Sequence, residues 1–271
     1  MKISILGCGN MGAAIIKGIK KAHGDCEVEA WDSDIEKARE LEKTLGLKIK
    51  EPQYWFSGEG NTRPSAVIIA VKPQVFKEAL SVFANVPAGE NTVWISVAAG
   101  ISVCALEKIL PSRAVARVMP NTPALIGEGC SLYSLNSLCD KKSEETVEKI
   151  LNSIGICVKI PETQMNAATG LSGSGPAFVY TIIEAFAEAG VAAGLPYELA
   201  LKCSAKTVLG GAKMVLETGE NPSLLKSRVM SAGGTTAAGN IALENGGVRA
   251  GVMSAVMSAV KKADELTSIN T

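Results

Sequence analysis

The chain has 271 residues, of which 47% are hydrophobic and 20% charged, a balance that excludes an intrinsically disordered chain or a small disulfide-stapled module. Its 27 Lys and Arg residues balance its 27 Asp and Glu residues, so the formal net charge is zero. Neither nucleic acid nor an anionic membrane surface is therefore an expected partner, and we expect a small-molecule ligand.

The seven cysteines are scattered without a CxxC pair, which predicts reduced thiols and no metal site. No cationic leader with a long apolar segment opens the chain. The most apolar stretch, residues 177–194, is interrupted by Glu184 and Glu188 and is short for a membrane span. We therefore expect a cytoplasmic protein with no membrane partner.

Up to about residue 160, short β-branched runs alternate with helical periods, a pattern typical of an α/β domain with a parallel sheet and crossover helices. Most of the runs are continuously apolar, as in strands covered on both faces. The charged segment 34–51 is predicted as an amphipathic helix and its exit. The predicted strands are 2–7, 27–31, 66–71, 92–98, 114–119, 130–135 and 156–160.

After Pro161 the strand pattern stops, and five or six helical segments follow. We therefore predict a Rossmann-type, doubly wound domain at 1–160 and an all-helical domain at 161–271. In the helix predicted at 177–194, Thr181, Glu184 and Glu188 form the only polar stripe, so most of its surface must be buried. A domain of about 110 residues can hardly do this alone. We expect a homodimer through this domain, with a higher assembly of dimers left open.

The first predicted strand runs into a GxGxxG turn that opens a helix. In such a turn Gly7 permits the tight bend, Gly9 lets a pyrophosphate approach the backbone, and Gly12 lets the helix pack on the strand. Asp32 follows about 20 residues later at the end of the second strand, where an acid binds the ribose. A glycine turn without a ligand is the alternative. Because the Asp32 carboxylate repels a 2′-phosphate, NADH is favoured over NADPH, although Ser33 is able to serve a phosphate.

Six sequence blocks occur together in one order along the chain. The blocks are 7–12 (GCGNMG), 70–73 (AVKP), 97–100 (VAAG), 119–124 (MPNTPA), 171–177 (LSGSGPA) and 231–236 (SAGGTT). On these blocks the sequence resembles pyrroline-5-carboxylate reductases. The resemblance implies a Rossmann-type domain, a helical dimerisation domain, an NAD(P)H cofactor and active sites built between two subunits. It further implies reduction of 1-pyrroline-5-carboxylate to L-proline, the last step of proline biosynthesis.

Three positions depart from the family pattern. Ala232 replaces a usual proline, Asn166 replaces a usual aspartate, and Ser227-Arg228 replaces an Asp-Asn type of pair. Arg228 adds a charge beside the expected substrate loop.

Cofactor contacts are expected from the glycine turn, the second strand and the loops that follow later strands. Lys72 lies at the end of a strand, where ligands of open α/β sheets bind, with an exposed strand-end lysine as the alternative. By resemblance Asn121 faces the nicotinamide, with a turn asparagine as the alternative. The expected residues are Leu6, Gly7, Cys8, Gly9, Asn10, Met11, Gly12, Asp32, Ser33, Ala70, Val71, Lys72, Pro73, Val97, Ala98, Ala99 and Asn121.

The loop 231–236 joins two predicted helices, and its glycines and free N–H groups suit a carboxylate. A helix-to-helix turn with threonine caps is the alternative. By resemblance Ser231, Gly233, Gly234, Thr235 and Thr236 hold the substrate, with Thr236 at the imine nitrogen as the catalytic group. Glu162 is expected in the same pocket, where it would help to hold the cationic iminium. The alternative role of Glu162 is structural, as a carboxylate that stabilises a helix N-terminus.

Other catalytic classes fit less well. The single histidine, His23, is predicted at a solvated helix end, which disfavours a histidine acid. Ser172 and Ser174 lack a preceding strand and a histidine partner, so a hydrolase is rejected. A reductase of another cyclic imine or of a small hydroxy or keto acid, and a non-catalytic nicotinamide-nucleotide sensor, remain as alternatives.

Overall fold

The computed structural model describes residues 1–57, 63–83 and 91–269, so the last two residues of the expected helical domain lie outside it. The chain forms two compact units. Unit 1 is Met1–Ser174 together with the end of the last helix from Ala259, and unit 2 is Gly175–Ser258. The short helical turns after Pro161 therefore belong to unit 1.

Unit 1 is built on a sheet that has eight strands within the described ranges. Their order across the sheet is β3-β2-β1-β4-β5-β6-β7-β8. The strands are β1 (Lys2–Leu6), β2 (Glu27–Trp31), β3 (Lys48–Ile49), β4 (Ala66–Ile69), β5 (Val93–Ser96), β6 (Ala114–Met119), β7 (Gly129–Leu135) and β8 (Gly155–Lys159).

The sheet is mixed, which corrects the expectation of a parallel one. Strands β1 to β6 pair in parallel, but β7 runs antiparallel to β6, with Val118 opposite Tyr133. A parallel neighbour would need a crossover of about a dozen residues or more, usually a helix, whereas only residues 120–128, with the 3₁₀ turn Thr122–Ile126, separate β6 from β7. The two-residue strand β3 lies in the segment expected as a helix exit, which is a second correction.

Helices cover both faces of this sheet. Those of unit 1 are α1 (Asn10–Ala22), α2 (Ile35–Leu45), α3 (Phe76–Ser81), α4 (Val103–Ile109), α5 (Lys141–Leu151) and α6 (Met165–Ala168). Ser102 caps α4 by accepting the Ala105 N–H, and Asp140 caps α5 by accepting the Ser143 N–H.

Apolar side chains alternate between the two faces of the central strands. Ile3 and Ile5 of β1 lie in a core with Ile15 and Ile19 of α1. Leu6 points to the other core, which contains Trp94 and other aromatic rings. This burial on both faces leaves only the strand ends free to form a site.

Unit 2 is helical, as predicted, and holds α7 (Gly175–Ala192), α8 (Tyr197–Thr218), α9 (Pro222–Val229) and α10 (Thr235–Asn245); α11 (Val248–Ile269) begins in it. Across 175–258, all of which is described, the buried residues are Ala187, Ala200 and Ser204. Large apolar side chains are exposed to solvent in a single copy: Leu216 is 75% exposed and Met257 is 65% exposed. A single chain thus leaves the apolar helix surfaces uncovered, as the sequence predicted.

Across the described residues, no helix combines the length and apolarity needed to cross a bilayer.

Candidate active site

The GCGNMG turn has the backbone that its glycines were expected to provide. Gly7 adopts φ +103°, and a Cβ there would lie 2.6 Å from the Ala70 carbonyl oxygen. A Cβ on Gly12 would lie 1.9 Å from the Gly7 carbonyl oxygen, whereas a Cβ on Gly9 would meet nothing within 4 Å. Gly7 and Gly12 are therefore required by packing, and Gly9 leaves open space beside the backbone.

Asp32 binds the glycine turn directly. Its Oδ2 accepts the Cys8 N–H at 2.6 Å, and its Oδ1 accepts the Asp34 N–H at 2.8 Å. These bonds fix the carboxylate between the turn after β1 and the turn after β2. Burial, followed by the charge of Asp32, raises the pKa of the Cys8 thiol to about 12, so it stays protonated and is no nucleophile.

A crevice of about 450 Å³ opens at the carboxyl ends of β1, β2 and β4. Among the expected cofactor residues it is lined by Leu6, Gly7, Asp32, Ser33 and Val71. Sequence reasoning missed Pro52, Gln53, Val75, Glu78 and Val82, which also line it. They belong to short turns and to α3 and carry no recognisable motif.

Other expected cofactor residues lie along the same edge but outside this crevice. Lys72 is exposed just after β4 and makes no ion pair with any residue that the structure describes. Val97, Ala98 and Ala99 follow β5, where the Ala98 N–H donates to Ser96 Oγ at 3.3 Å. Because β1 to β6 are parallel, their carboxyl ends share one edge, which is where ligands of such sheets bind.

Asn121, just after β6, is held by its own side-chain hydrogen bonds. Its amide joins the start of β7 and Ser172, which lies in the wide turn Thr169–Gly173.

Glu162 lies against a buried arginine that sequence reasoning missed. Its Oε1 accepts from Arg117 Nη1 at 2.7 Å and from the Val103 N–H at 3.2 Å. Its Oε2 is buried and has no hydrogen-bond partner among the described residues. An arginine inside an otherwise apolar strand was the available signal, because a buried charge needs a partner.

Asn166, one of the departures, completes this cluster within unit 1. Its Oδ1 accepts from Arg117 Nη2 at 3.3 Å and from Thr267 Oγ1 at 3.1 Å, and its Nδ2 donates to Asp264 at 2.8 Å. The amide thus serves an arginine and a carboxylate together, which a carboxylate at this position does not do.

In unit 2, the loop 231–236 forms a tight turn that opens α10. The Gly234 N–H donates to the Ser231 carbonyl at 3.0 Å, and Gly233 adopts φ +68°. Gly234 is the N-cap of α10 and brings no side chain, so the first N–H groups of the helix stay unbonded by a cap. Thr235 and Thr236 are exposed beside them. This arrangement suits a carboxylate.

Arg228 does not add a free charge beside this loop. Its Nη2 lies 2.9 Å from Glu220 Oε1, and its Nη1 bonds the other oxygen of the same carboxylate. The departure at this position is therefore compensated within unit 2.

Comparison with known proteins decides the family. Residues 162–266 match the family model for pyrroline-5-carboxylate reductase dimerisation, and residues 2–100 match NADP oxidoreductase coenzyme F420-dependent. A pyrroline-5-carboxylate reductase of Arabidopsis thaliana is 38% identical and is matched over 98% of this chain and 95% of its own. The chain belongs to the pyrroline-5-carboxylate reductase family.

Solved structures agree with this assignment. A pyrroline-5-carboxylate reductase from Coxiella burnetii superposes with a TM-score of 0.90 at 30% identity, over 98% of each chain. A Plasmodium falciparum pyrroline carboxylate reductase with NADP bound gives a TM-score of 0.84, also at 30% identity over 98% of each chain.

These matches confirm the predicted family, the α/β fold class and, at the level of the family, the function of an NAD(P)H-dependent reductase of 1-pyrroline-5-carboxylate. They give no support to the alternative reductases or to a sensor. The individual site residues stay predictions. Within the described residues, no group of three or more His, Cys, Asp or Glu side chains is placed to hold a metal.

Proposed function

We propose that this chain reduces the C=N bond of 1-pyrroline-5-carboxylate to L-proline, using the edge of unit 1 for the dinucleotide and loop 231–236 for the substrate carboxylate. The glycine turn carries the proposal, because Gly9 leaves the backbone open where Asp32 has already fixed its shape. Gly7 and Gly12 are closed in by neighbouring backbone, so of the three glycines of this turn only Gly9 leaves room for a pyrophosphate.

The residues present fit a nicotinamide dinucleotide. The Cys8 N–H is occupied by Asp32, so the N–H groups of Asn10, Met11 and Gly12 at the start of α1 are the ones that suit the pyrophosphate. Leu6, Asp32, Ser33 and Val71 line the crevice on the adenosine side. Ala70, Lys72, Pro73 and Val97–Ala99 continue the same edge. The bound cofactor supplies the hydride.

We propose NADH as the preferred form. The Asp32 carboxylate suits a free 2′-hydroxyl and repels a phosphate. The nearby cations of α2 are already paired, Lys37 with Asp34 at 3.2 Å and Arg39 with Glu36 at 2.6 Å. A 2′-phosphate at this end of the crevice would therefore be repelled by carboxylates, and the nearby cations already have carboxylate partners.

The substrate end needs little acid chemistry. An imine nitrogen is basic enough to be protonated near neutral pH, and the iminium then accepts hydride directly. The free N–H groups at the start of α10 hold the carboxylate, with Ser231, Gly233, Gly234 and Thr235 shaping the turn. The Thr236 hydroxyl orients the ring nitrogen, and the enzyme contributes mainly positioning.

We propose that the chain works as a homodimer through unit 2, with a higher assembly of dimers compatible with it. The exposed Leu216 and Met257 support this, since a monomer would leave a large apolar surface in water. All seven cysteines are free, which suits a reducing cytoplasm. Light scattering tests the assembly, and a stable monomer at micromolar concentration would contradict it.

Absorbance at 340 nm with NADH and 1-pyrroline-5-carboxylate tests the activity. We expect NADH oxidation that depends on the imine, with L-proline as the product. NADH oxidation with a keto acid but not with the imine, or no oxidation with any substrate while NADH still binds, would contradict the proposal.

A further inference from the structure

Asn121 lies at the centre of a closed set of hydrogen bonds that joins three segments of unit 1. Its Oδ1 accepts the Cys130 N–H at 2.9 Å, and its Nδ2 donates to the Ser172 carbonyl oxygen at 3.2 Å and lies 3.4 Å from Ser172 Oγ. The Ser172 hydroxyl closes the set by donating to the Cys130 carbonyl oxygen at 3.1 Å. Both ends of the Asn121 amide are thereby engaged.

Ser172 belongs to a turn of unusual width. Between Thr169 and Gly173 the helix widens to the π form, and the Ser174 N–H reaches the Thr169 carbonyl at 3.0 Å. Such wide turns occur frequently at functional sites. A Cβ on Gly173 would lie 2.5 Å from Met119 Cε, so the turn lies directly against the end of β6.

The position of Asn121 explains what this bonding holds in place. Asn121 precedes the 3₁₀ turn Thr122–Ile126 but does not cap it with its side chain, as asparagine at such a position commonly does. That turn packs against α1, the helix that follows the glycine turn. Strand β6, which leads into Asn121, pairs with β5, and Arg117 lies opposite Ser96, the residue before Val97. Asn121 thus joins the wide turn to the edge proposed for the cofactor.

We propose that Asn121 and Ser172 form a latch, and that Asn121 is a positioning residue for hydride transfer. The inference rests on the proposed reductase function. Cys130 and Ser172 fix the plane of the Asn121 amide, so a nicotinamide carboxamide would find only the second lone pair of Asn121 Oδ1 unoccupied. The latch instead fixes the carboxyl end of β6, where a displacement of about 1 Å is able to cost on the order of 100-fold in rate.

The test uses three variants, Asn121→Ala, Ser172→Ala and the double variant that combines them. The control is Ser268→Ala, which changes an exposed serine on α11. The measurements are kcat, KM for the imine, the Kd of NADH from its fluorescence, and the isotope effect with NADH deuterated at the transferred hydrogen. All are made well below the unfolding temperature of each variant.

We expect Asn121→Ala to lower kcat by about tenfold or more, and Ser172→Ala by about threefold because the bond to the Ser172 carbonyl remains. The Kd of NADH stays within about twofold and the isotope effect rises, since hydride transfer becomes slower. The double variant is scarcely slower than Asn121→Ala, because both changes act through one latch.

Other results overturn the latch. One is a wild-type kcat in folded Asn121→Ala. The other is a tenfold rise in the Kd of NADH together with a double variant whose loss of kcat is the product of the two single losses, a result that indicates direct contact between Asn121 and the cofactor. If Asn121→Ala does not fold, Ser172→Ala decides, and an unchanged kcat and isotope effect contradict the latch. If the wild type turns over the imine and the variants give one of these contradicting results, the latch is refuted and the proposed function stands. If the wild type itself does not oxidise NADH with the imine, the proposed function is refuted as well.

Discussion

Arg117 Nη1 lies 2.7 Å from Glu162 Oε1, and the arginine side chain is only 5% exposed. A guanidinium buried in a sheet is stable only with an opposite charge or several acceptors around it. Glu162 supplies the charge, and the same oxygen also receives the first N–H of α4. Arg117 therefore already balances the negative charge of Glu162, which weakens the attraction of this carboxylate for a cationic substrate.

Replacing Glu162 with glutamine distinguishes the ion pair with Arg117 from a contact with the substrate. We expect Glu162→Gln to lower the free energy of unfolding by about 1–3 kcal/mol, less than for a fully buried pair because Glu162 is 35% exposed. The KM for the imine should change by less than about twofold, since the carboxylate serves Arg117. Denaturant unfolding and steady-state kinetics measure both. Glu145→Gln, in an exposed pair with Lys141, is the control. A large rise in KM at unchanged stability would place Glu162 in the substrate pocket instead.

Two glycines of the cofactor turn should respond oppositely to alanine. In Gly9→Ala the methyl meets nothing within 4 Å, so the unfolding temperature should stay near that of the wild type. The methyl occupies space beside the backbone that suits the pyrophosphate, and the Kd of NADH should rise by about tenfold or more. In Gly12→Ala the methyl collides with the Gly7 carbonyl, and stability should fall. Thermal unfolding and NADH titration of both variants test this, and tight NADH binding by Gly9→Ala would contradict the assignment.

The strands were predictable wherever burial on both faces left a continuous apolar run. The bounds of β2 and β6 match the predicted ones at both ends, although both strands contain charged residues, and Asp32 and Pro120 directly follow them. The two-residue β3 is too short to carry any periodicity. The side chains of β7 do not carry its direction, because a run of side chains reads the same in a parallel or an antiparallel pair, and the short connection from β6 is the feature that does.

The site was predictable where local backbone geometry sets it, and hidden where distant residues meet. The spacing of Gly7 and Gly12 is enough to predict their turn. Arg117 and Glu162 lie 45 residues apart in sequence, and no local sequence feature predicts their contact. The same holds for Asn121 and Ser172. Such pairs arise from the packing of the sheet against its helical turns, which a single sequence does not display.

Asp32 should govern the choice of cofactor. We expect kcat/KM for NADH to exceed that for NADPH by about tenfold, and Asp32→Asn to reduce this ratio by about tenfold because the amide does not repel a 2′-phosphate. Asparagine also loses one of the two acceptors for backbone N–H groups, so stability should fall by about 1 kcal/mol. Asp25→Asn, before β2 at the opposite edge, is the control. A tenfold preference of the wild type for NADPH would refute the assignment.

Thr236 should matter through its hydroxyl and not through its bulk. It is exposed at the start of α10, so Thr236→Val should keep the fold and the unfolding temperature to within a few degrees. Loss of the hydrogen bond to the ring nitrogen should lower kcat by about tenfold or more, with a smaller effect on KM. Thr236→Ser retains the hydroxyl and should recover most of the activity. If valine were as active as threonine, the imine nitrogen would have to be oriented by another group. The free N–H groups at the start of α10 would then hold the carboxylate without help from this side chain.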